Sequence, residues 1–233
     1  MAFHFKQFEV EDKQSTLRIG TDAMLLGSWA KPVNASKILD IGTGCGVLAL
    51  MMAQKSEAVI IAIEIDLPSV KESRMNFTYS PWAERISAIH TTLQAFSGYS
   101  KCDYDFIITN PPFFSNALKS PSVRENKTRH DVTMSHPELV RNVSRLLTRD
   151  GTFALILPAG YEKEFITVCS EYGLNLMRRL IVCPKPAALP GRTLMEFTRQ
   201  KVNQVNESDL IILNSTGEFS DQYLALTRDF HNF

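Results

Sequence analysis

The heptapeptide Asp40-Ile41-Gly42-Thr43-Gly44-Cys45-Gly46 stands between an apolar run and a helical pattern, and it restricts the fold more than any other stretch of the chain. Glycines at alternate positions let a backbone turn sharply and approach a ligand closely. The run before them, Lys37–Ile41 (KILDI), reads as a buried strand, and residues 47–54 as the helix that follows. A strand, a glycine turn and a helix in that order begin a doubly wound α/β sheet. The spacing is GxGxG, not the GxGxxG of dinucleotide folds. A turn of this kind can also serve only to close a strand–helix corner.

Glu64 separates these two uses. It ends a second apolar run, residues 59–65 (VIIAIEI), 18 residues after Gly46. There a doubly wound sheet places an acidic group on ribose hydroxyls, and a carboxylate can accept two hydrogen bonds from a vicinal diol. Asp66 competes for the role but falls past the strand end.

The alternation continues along the chain. A helix is predicted over residues 67–78, opening with Pro68, then strands at 86–90 and 104–109. Residues 115–132 are polar and read as a long loop. A helix at 137–147, a strand at 151–157 and a helix at 161–172 follow. Strands at 174–182 and 193–199 flank a proline-rich loop, and they lie too close together for a helical crossover. They are expected to form an antiparallel pair at one edge. Residues 209–213 are a candidate further strand and 223–233 a short helix or tail. The pattern implies a parallel sheet with helices on both faces. Residues 1–36 are expected to pack as an N-terminal extension on a single domain, 37–233.

Composition narrows the chemistry. The 233 residues are 44% hydrophobic, enough for one substantial core, with Lys+Arg and Asp+Glu both at 25. The four cysteines (Cys45, Cys102, Cys169, Cys183) have no CxxC or Cys/His spacing, so neither a zinc site nor a disulfide framework is expected. No signal-peptide core or membrane-spanning run is read, and a soluble cytoplasmic protein is expected. Charge is uneven despite the balanced total. Residues 119–149 hold seven basic side chains against three acidic, and residues 178–201 hold six against one, Glu196. Such stretches can steer a phosphate backbone or be solvated faces.

A second motif, Asn110-Pro111-Pro112-Phe113, follows the fourth strand at its carboxyl end, where open α/β sheets bind ligands. Prolines lack an N–H and hold a rigid turn. The Asn110 side-chain oxygen and the Pro111 carbonyl can accept hydrogen bonds from a planar NH2 group and free its lone pair for attack. Phe113, with Phe114 beside it, offers a face on which an extruded base can stack, worth about 1–3 kcal/mol. A tight turn with a buried Phe is the plainer alternative.

Together the DIGTGCG loop, the Glu64 strand and Asn110–Phe113 resemble the class I S-adenosylmethionine-dependent methyltransferases. The resemblance covers residues 37 to about 200. It implies a Rossmann-like, seven-stranded, mostly parallel sheet with an antiparallel edge strand, and S-adenosyl-L-methionine as cofactor. It places Asp40, Gly42, Gly44 and Gly46 on the methionine portion and Glu64 on the ribose. The family often has an acid after the third strand to meet the adenine. Here the stretch is His90-Thr91-Thr92-Leu93-Gln94, leaving Thr92 as the candidate.

NPPF-type motifs serve adenine N6, cytosine N4, guanine N2 and protein glutamine alike. The chain ends narrow the choice. Phe3–Phe8, Arg18–Trp29, Arg124–Asp131, Gly191–Glu196 and Leu226–Phe230 resemble the bacterial tRNA(Val) adenine-N6 methyltransferases, which modify the adenine 3′ of the anticodon. The resemblance implies Thr21 and Asp22 near the cofactor, though either residue type also suits a helix N-cap before Ala23. It implies a 115–131 loop facing RNA, with Arg124, Lys127 and Arg129 on phosphates. Arg192, with Arg178, Arg179 and Lys185, would extend that path. An N-methyltransferase acting on another planar amino group, rRNA guanine N2 or protein glutamine, and a non-catalytic nucleotide-binding module are the alternatives. No metal is expected, and the absence of coiled-coil heptads makes a monomer the default.

Overall fold

A computed structural model describes residues 2–15, 19–111 and 134–231. The chain opens with a small hairpin, β1 (Phe3–His4) and β2 (Glu9–Val10), followed by helix α1 (Thr21–Trp29). Next come β3 (Lys37–Ile41), α2 (Val47–Lys55), β4 (Val59–Glu64), α3 (Leu67–Thr78), β5 (Ile86–His90), α4 (Leu93–Tyr99) and β6 (Tyr104–Thr109). The second part contains α5 (His136–Leu146), β7 (Leu147–Pro158), α6 (Glu162–Glu171), β8 (Asn175–Cys183), β9 (Arg192–Thr198), β10 (Asn206–Ile211) and α7 (Asp221–Thr227).

Local chemistry explains the helix starts. The Asp66 side chain accepts from the Ser69 N–H at 2.9 Å, and Pro68 occupies the first turn of α3. Ser135 caps α5 in the same way, with Pro137 behind it. Both arrangements satisfy donors that a helix N-terminus leaves open. Helix α5 then buries Leu139, Val140, Val143 and Leu146, a stripe at helical spacing.

Among the described residues, eight strands form the main sheet in the order β10-β8-β9-β7-β6-β3-β4-β5. Of these, only β9 runs against its neighbours, β7 and β8. The expected reversed strand therefore exists, but it lies inside the sheet. The eighth strand, β10, pairs parallel to β8 and forms the true edge. Two apolar cores cover the two faces. Ile38, Ile108, Ala154 and Ile156 point toward α1, α2, α3 and α7, while Leu39, Ile107, Phe153 and Leu155 point toward α4, α5 and α6. Alternate residues of each central strand thus face different cores, which is why these strands read as unbroken apolar runs. Truncating a fully buried residue such as Leu39 to alanine would cost about 2–5 kcal/mol.

The chain lays down β3, β4 and β5 in one direction, then returns to add β6 on the other side of β3. The carboxyl ends of β3 and β6 lie side by side, with Ile41 opposite Thr109. The strand order reverses between β3 and β6, the position where open α/β sheets form their ligand crevice, and both sequence motifs follow strands that end there.

Candidate active site

The glycine loop leaves β3 and is tied to β4. The Gly42 and Thr43 N–H groups donate to the Ile63 carbonyl at 2.9 and 3.2 Å. Gly46 has φ +91°, and a Cβ there would stand 2.4 Å from the Phe77 ring, so both backbone and space demand glycine. Gly42 has φ +70°, and a Cβ there would meet nothing within 4 Å. The space above Gly42 is open to a ligand.

Asp40 is fully buried beneath this loop. Its Oδ2 accepts from the Thr43 hydroxyl at 2.5 Å, whereas Oδ1 has no partner among the described residues. Burial, helped by the nearby Glu64 charge, pushes its pKa up to about 7, against the Thr43 hydroxyl and the Ala49 backbone N–H at the start of α2, which pull it down. A buried carboxylate oxygen without a partner is costly and suits a cationic or hydrogen-bonding ligand.

Glu64 ends β4 and is 9% exposed. Its Oε2 accepts from the Gly44 N–H at 3.0 Å, and Oε1 from the N–H groups of Ile65 and Asp66 at 2.8 and 3.0 Å. The carboxylate therefore fixes the loop; Oε1 is filled by two N–H groups, and Oε2 keeps one lone pair for a further donor. Asp66, the competing acid, caps α3 and also accepts from the Ser69 hydroxyl at 2.6 Å. Thr92 follows β5 and caps α4, its Oγ1 accepting from the Ala95 N–H at 3.1 Å.

Across the crevice, the Thr109 hydroxyl donates to the Ile41 carbonyl at 2.8 Å and locks the ends of β6 and β3 together. Asn110 comes next. Its Oδ1 is buried and has no partner among the described residues, and Pro111 is half-buried. Pro112, Phe113, Phe114, Arg124, Lys127 and Arg129 lie outside the described residues.

The structure corrects several expectations at the periphery. Thr21 and Asp22 are the first helical residues of α1, and the N-cap is Gly20, so neither caps the helix. Asp22 instead accepts with both oxygens, at 2.9 Å each, from Nε of Arg192. Arg192 does stand at the carboxyl edge, because β9 runs backwards and starts opposite Pro158 and Val182. Its guanidinium is already engaged by Asp22, with another N–H on the Gly191 carbonyl at 2.9 Å. Arg178 does not extend a phosphate path. It forms a two-point pair with Glu196 at 2.8 and 2.7 Å, lies 3.7 Å from the Trp29 ring centroid, and its side chain is only 12% exposed. Arg179 pairs with both oxygens of Glu207 at 2.8 Å, while Lys185 is exposed. Glu72 and Asn76 of α3 were not singled out from the sequence, yet they are buried and hydrogen-bond to residues 11–15. Their one sequence signal is a pair of polar residues at i, i+4 on a helix that packs against the glycine loop.

Asp40 and Asn110 thus stand at the carboxyl ends of the adjacent strands β3 and β6, each with a buried side-chain oxygen that has no hydrogen-bond partner among the described residues. Residues 14–162 match the sequence model of the methyltransferase small domain. The folds of solved methyltransferases agree. A predicted O-methyltransferase from Agrobacterium tumefaciens superposes with TM-score 0.68 at 19% identity, covering 90% of this chain and 96% of that one. A TehB-like SAM-dependent methyltransferase from Corynebacterium glutamicum does so with TM-score 0.51 at 18% identity, covering 79% and 90%.

Similarity in sequence runs further. The tRNA1(Val) (adenine(37)-N6)-methyltransferase of Bacteroides fragilis is 40% identical over 230 residues, covering 98% of this chain and 97% of the relative. The protein of the same name from Photobacterium profundum is 35% identical over 233 residues, covering 98% and 97%. The chain belongs to this family, the tRNA1(Val) (adenine(37)-N6)-methyltransferases.

Proposed function

We propose that the chain transfers a methyl group from S-adenosylmethionine to the exocyclic N6 of an adenine in tRNA, the adenine at position 37 of tRNA1(Val) that its relatives are named for. The observation that carries the reading is Asn110, whose buried Oδ1 faces no donor of the described protein. An adenine amino group supplies two N–H donors. One would bond to Asn110 Oδ1 and the other to the Pro111 carbonyl, which turns the nitrogen lone pair toward the cofactor.

The bound cofactor supplies a methyl group on a positively charged sulfur. Asn110 and Pro111 would hold the amino nitrogen that accepts this methyl group, and the nitrogen would release its proton to solvent. The protein contributes placement and a preorganised pair of acceptors, so no strong base is needed. Support for the cofactor lies in the open space above Gly42, the unpartnered Asp40 Oδ1 and the one lone pair left on Glu64 Oε2, which can accept from a ribose hydroxyl. Thr21 and Thr92 are proposed at the rim of the same site, and Asp22 there positions Arg192.

Pro112 and Phe113 are assigned the remaining turn and the stacking face. Arg124, Lys127 and Arg129 are assigned the flanking phosphates, with Arg192 at their margin. The proposal includes residues 1–36 as an extension packed on the methyltransferase unit 37–233. It also includes a cytoplasmic location, where a tRNA substrate resides, and action as a single chain. Among the described residues, no helix is long and apolar enough to cross a membrane and no His/Cys/Asp/Glu group is arranged to hold a metal.

Asn110→Ala tests the reading. Methyl transfer should fall by about 10²–10³, the scale for removing a preorganised polar contact to a reacting group. Cofactor affinity, read by calorimetry, should stay within about twofold. Normal turnover by this variant would remove Asn110 from the mechanism.

A further inference from the structure

Helix α3 carries a buried carboxylate, Glu72, on the side that faces the N-terminal segment. A buried carboxylate needs hydrogen bonds or a cation. Glu72 takes three consecutive backbone N–H groups. Oε1 accepts from Lys13 at 2.7 Å and Gln14 at 2.9 Å, and Oε2 from Ser15 at 2.8 Å. One turn further along α3, Asn76 makes a second clamp. Its Oδ1 accepts from the Glu11 N–H at 3.0 Å, and its Nδ2 donates at 2.8 Å to both the Glu11 and Cys45 carbonyls. Asn76 thereby joins residues 11–15 to the glycine loop through a single amide.

The strap ends against the cofactor loop itself. Ser15 Oγ lies 3.0 Å from where a Cβ on Gly44 would stand, and Gly44 is the residue whose N–H is held by Glu64. On its other side the strap is continuous with the hairpin, where Phe5 stacks on Phe8 at 4.3 Å and Phe8 meets Trp82 at 5.6 Å. Asp12 accepts from the Ile19 N–H at 3.0 Å and directs the chain toward α1.

We propose that Glu72 and Asn76 are positioning residues for the cofactor: they hold the 11–15 strap against the Gly44 side of the loop, and the docked strap sets how tightly S-adenosylmethionine is retained. The proposal rests on the reading of the glycine loop as the cofactor site. A strap docked for only a fraction of the time weakens apparent affinity in proportion to that fraction. Charge-assisted bonds to Glu72 are the strongest of the contacts that dock it.

The test compares full-length wild-type protein with Glu72→Gln and Asn76→Asp. Glutamine keeps the shape of the side chain but loses the charge and one acceptor oxygen. Aspartate at position 76 keeps the acceptor for Glu11 and loses both donations. Calorimetry with S-adenosylhomocysteine should show affinity about tenfold weaker in each variant. KM for S-adenosylmethionine should rise by the same factor, while kcat at saturating cofactor stays within about twofold. Cofactor should slow hydrogen exchange of the residue 13–15 amides in wild type and do so less in the variants.

Wild-type cofactor affinity in folded variants, or a fall in kcat with KM unchanged, would overturn the proposal. If Glu72→Gln does not fold, Asn76→Asp gives the same two readings. A wild-type protein that binds no S-adenosylhomocysteine would bring down the cofactor reading and this proposal together. That result is distinct from binding that the substitutions leave untouched.

Discussion

On the β3–β5 side of the crevice, acidic and amide side chains are directed at backbone N–H groups. Glu64 holds the glycine loop, Asp66 holds the start of α3, and Glu72 with Asn76 holds the strap. On the β6–β10 side, arginines are directed at acids. Arg178 takes Glu196, Arg179 takes Glu207 and Arg192 takes Asp22. The first half is a backbone cradle fixed in advance, in which Asp40 Oδ1 is left without a described partner. The second half has its described β8 and β9 arginines balanced within the protein, and there Asn110 Oδ1 is buried without a described partner. One half thus uses its polar side chains to fix backbone and the other to neutralise arginines, so under the proposed function the RNA phosphates fall to cations other than these paired ones.

Breaking a pair on the arginine side should produce the largest effect. Glu196 and Arg178 have side chains only 3% and 12% exposed, so Glu196→Ala strands a buried guanidinium. Stability should fall by about 3–5 kcal/mol, read from the urea midpoint. A loss under about 1 kcal/mol would mean that Arg178 escapes to solvent and that the pair is not structural.

The cradle side is tested by pH. The Asp40 pKa stands at about 7, above its ordinary 3.8, because of burial. A raised carboxylate pKa contributes stability fully below the unfolded value, and that contribution disappears as pH rises from about 4 through 7. In the cofactor-free protein, the buried Asp40 therefore costs stability progressively between about pH 4 and 7, and by a constant amount above that. If the cofactor's cationic methionine end favours the ionised form, affinity should weaken by up to about tenfold per pH unit below 7. Asp40→Asn should flatten this slope between pH 5.5 and 7. An equal slope in the variant would assign the dependence to another group.

A smaller effect separates paired from proposed RNA-binding cations. Replacing Arg124, Lys127 and Arg129 together should reduce the slope of log affinity for tRNA against log salt by roughly 2–3 units. Arg192→Ala should reduce it by less than about 1 unit, because Asp22 already balances that charge. Equal effects would show that the Asp22–Arg192 pair opens onto the RNA.

The central strands and the order of units could be read from the sequence because burial on both faces writes continuous apolar runs. Lys37–Ile41 and Ile86–His90 fall at the predicted bounds. Helix α4 was missed: seven residues starting from a Thr92 cap are too few to show a period. The two-residue strands β1 and β2 depend on tertiary aromatic contacts, among them Phe5 with Phe230 at 6.5 Å. The positions of Asp40, Glu64 and Asn110 at the carboxyl ends of strands could be read because each lies in the last two residues of an apolar run or directly after one. The fate of Arg178 could not, since Glu196 is 18 residues away and Trp29 149. Glu72 was hidden for the same reason. A carboxylate in a helix looks like a solvated side chain until a distant segment is seen to dock on it.

The central claim is that Asn110 and its neighbours present an adenine amino group to the cofactor. Incubating the protein with methyl-labelled S-adenosylmethionine and tRNA lacking the modification, then analysing nucleosides, tests it most directly. The account predicts label as N6-methyladenosine, confined to position 37 of tRNA1(Val). Label in guanine or in protein glutamine, with none in adenine, would contradict it.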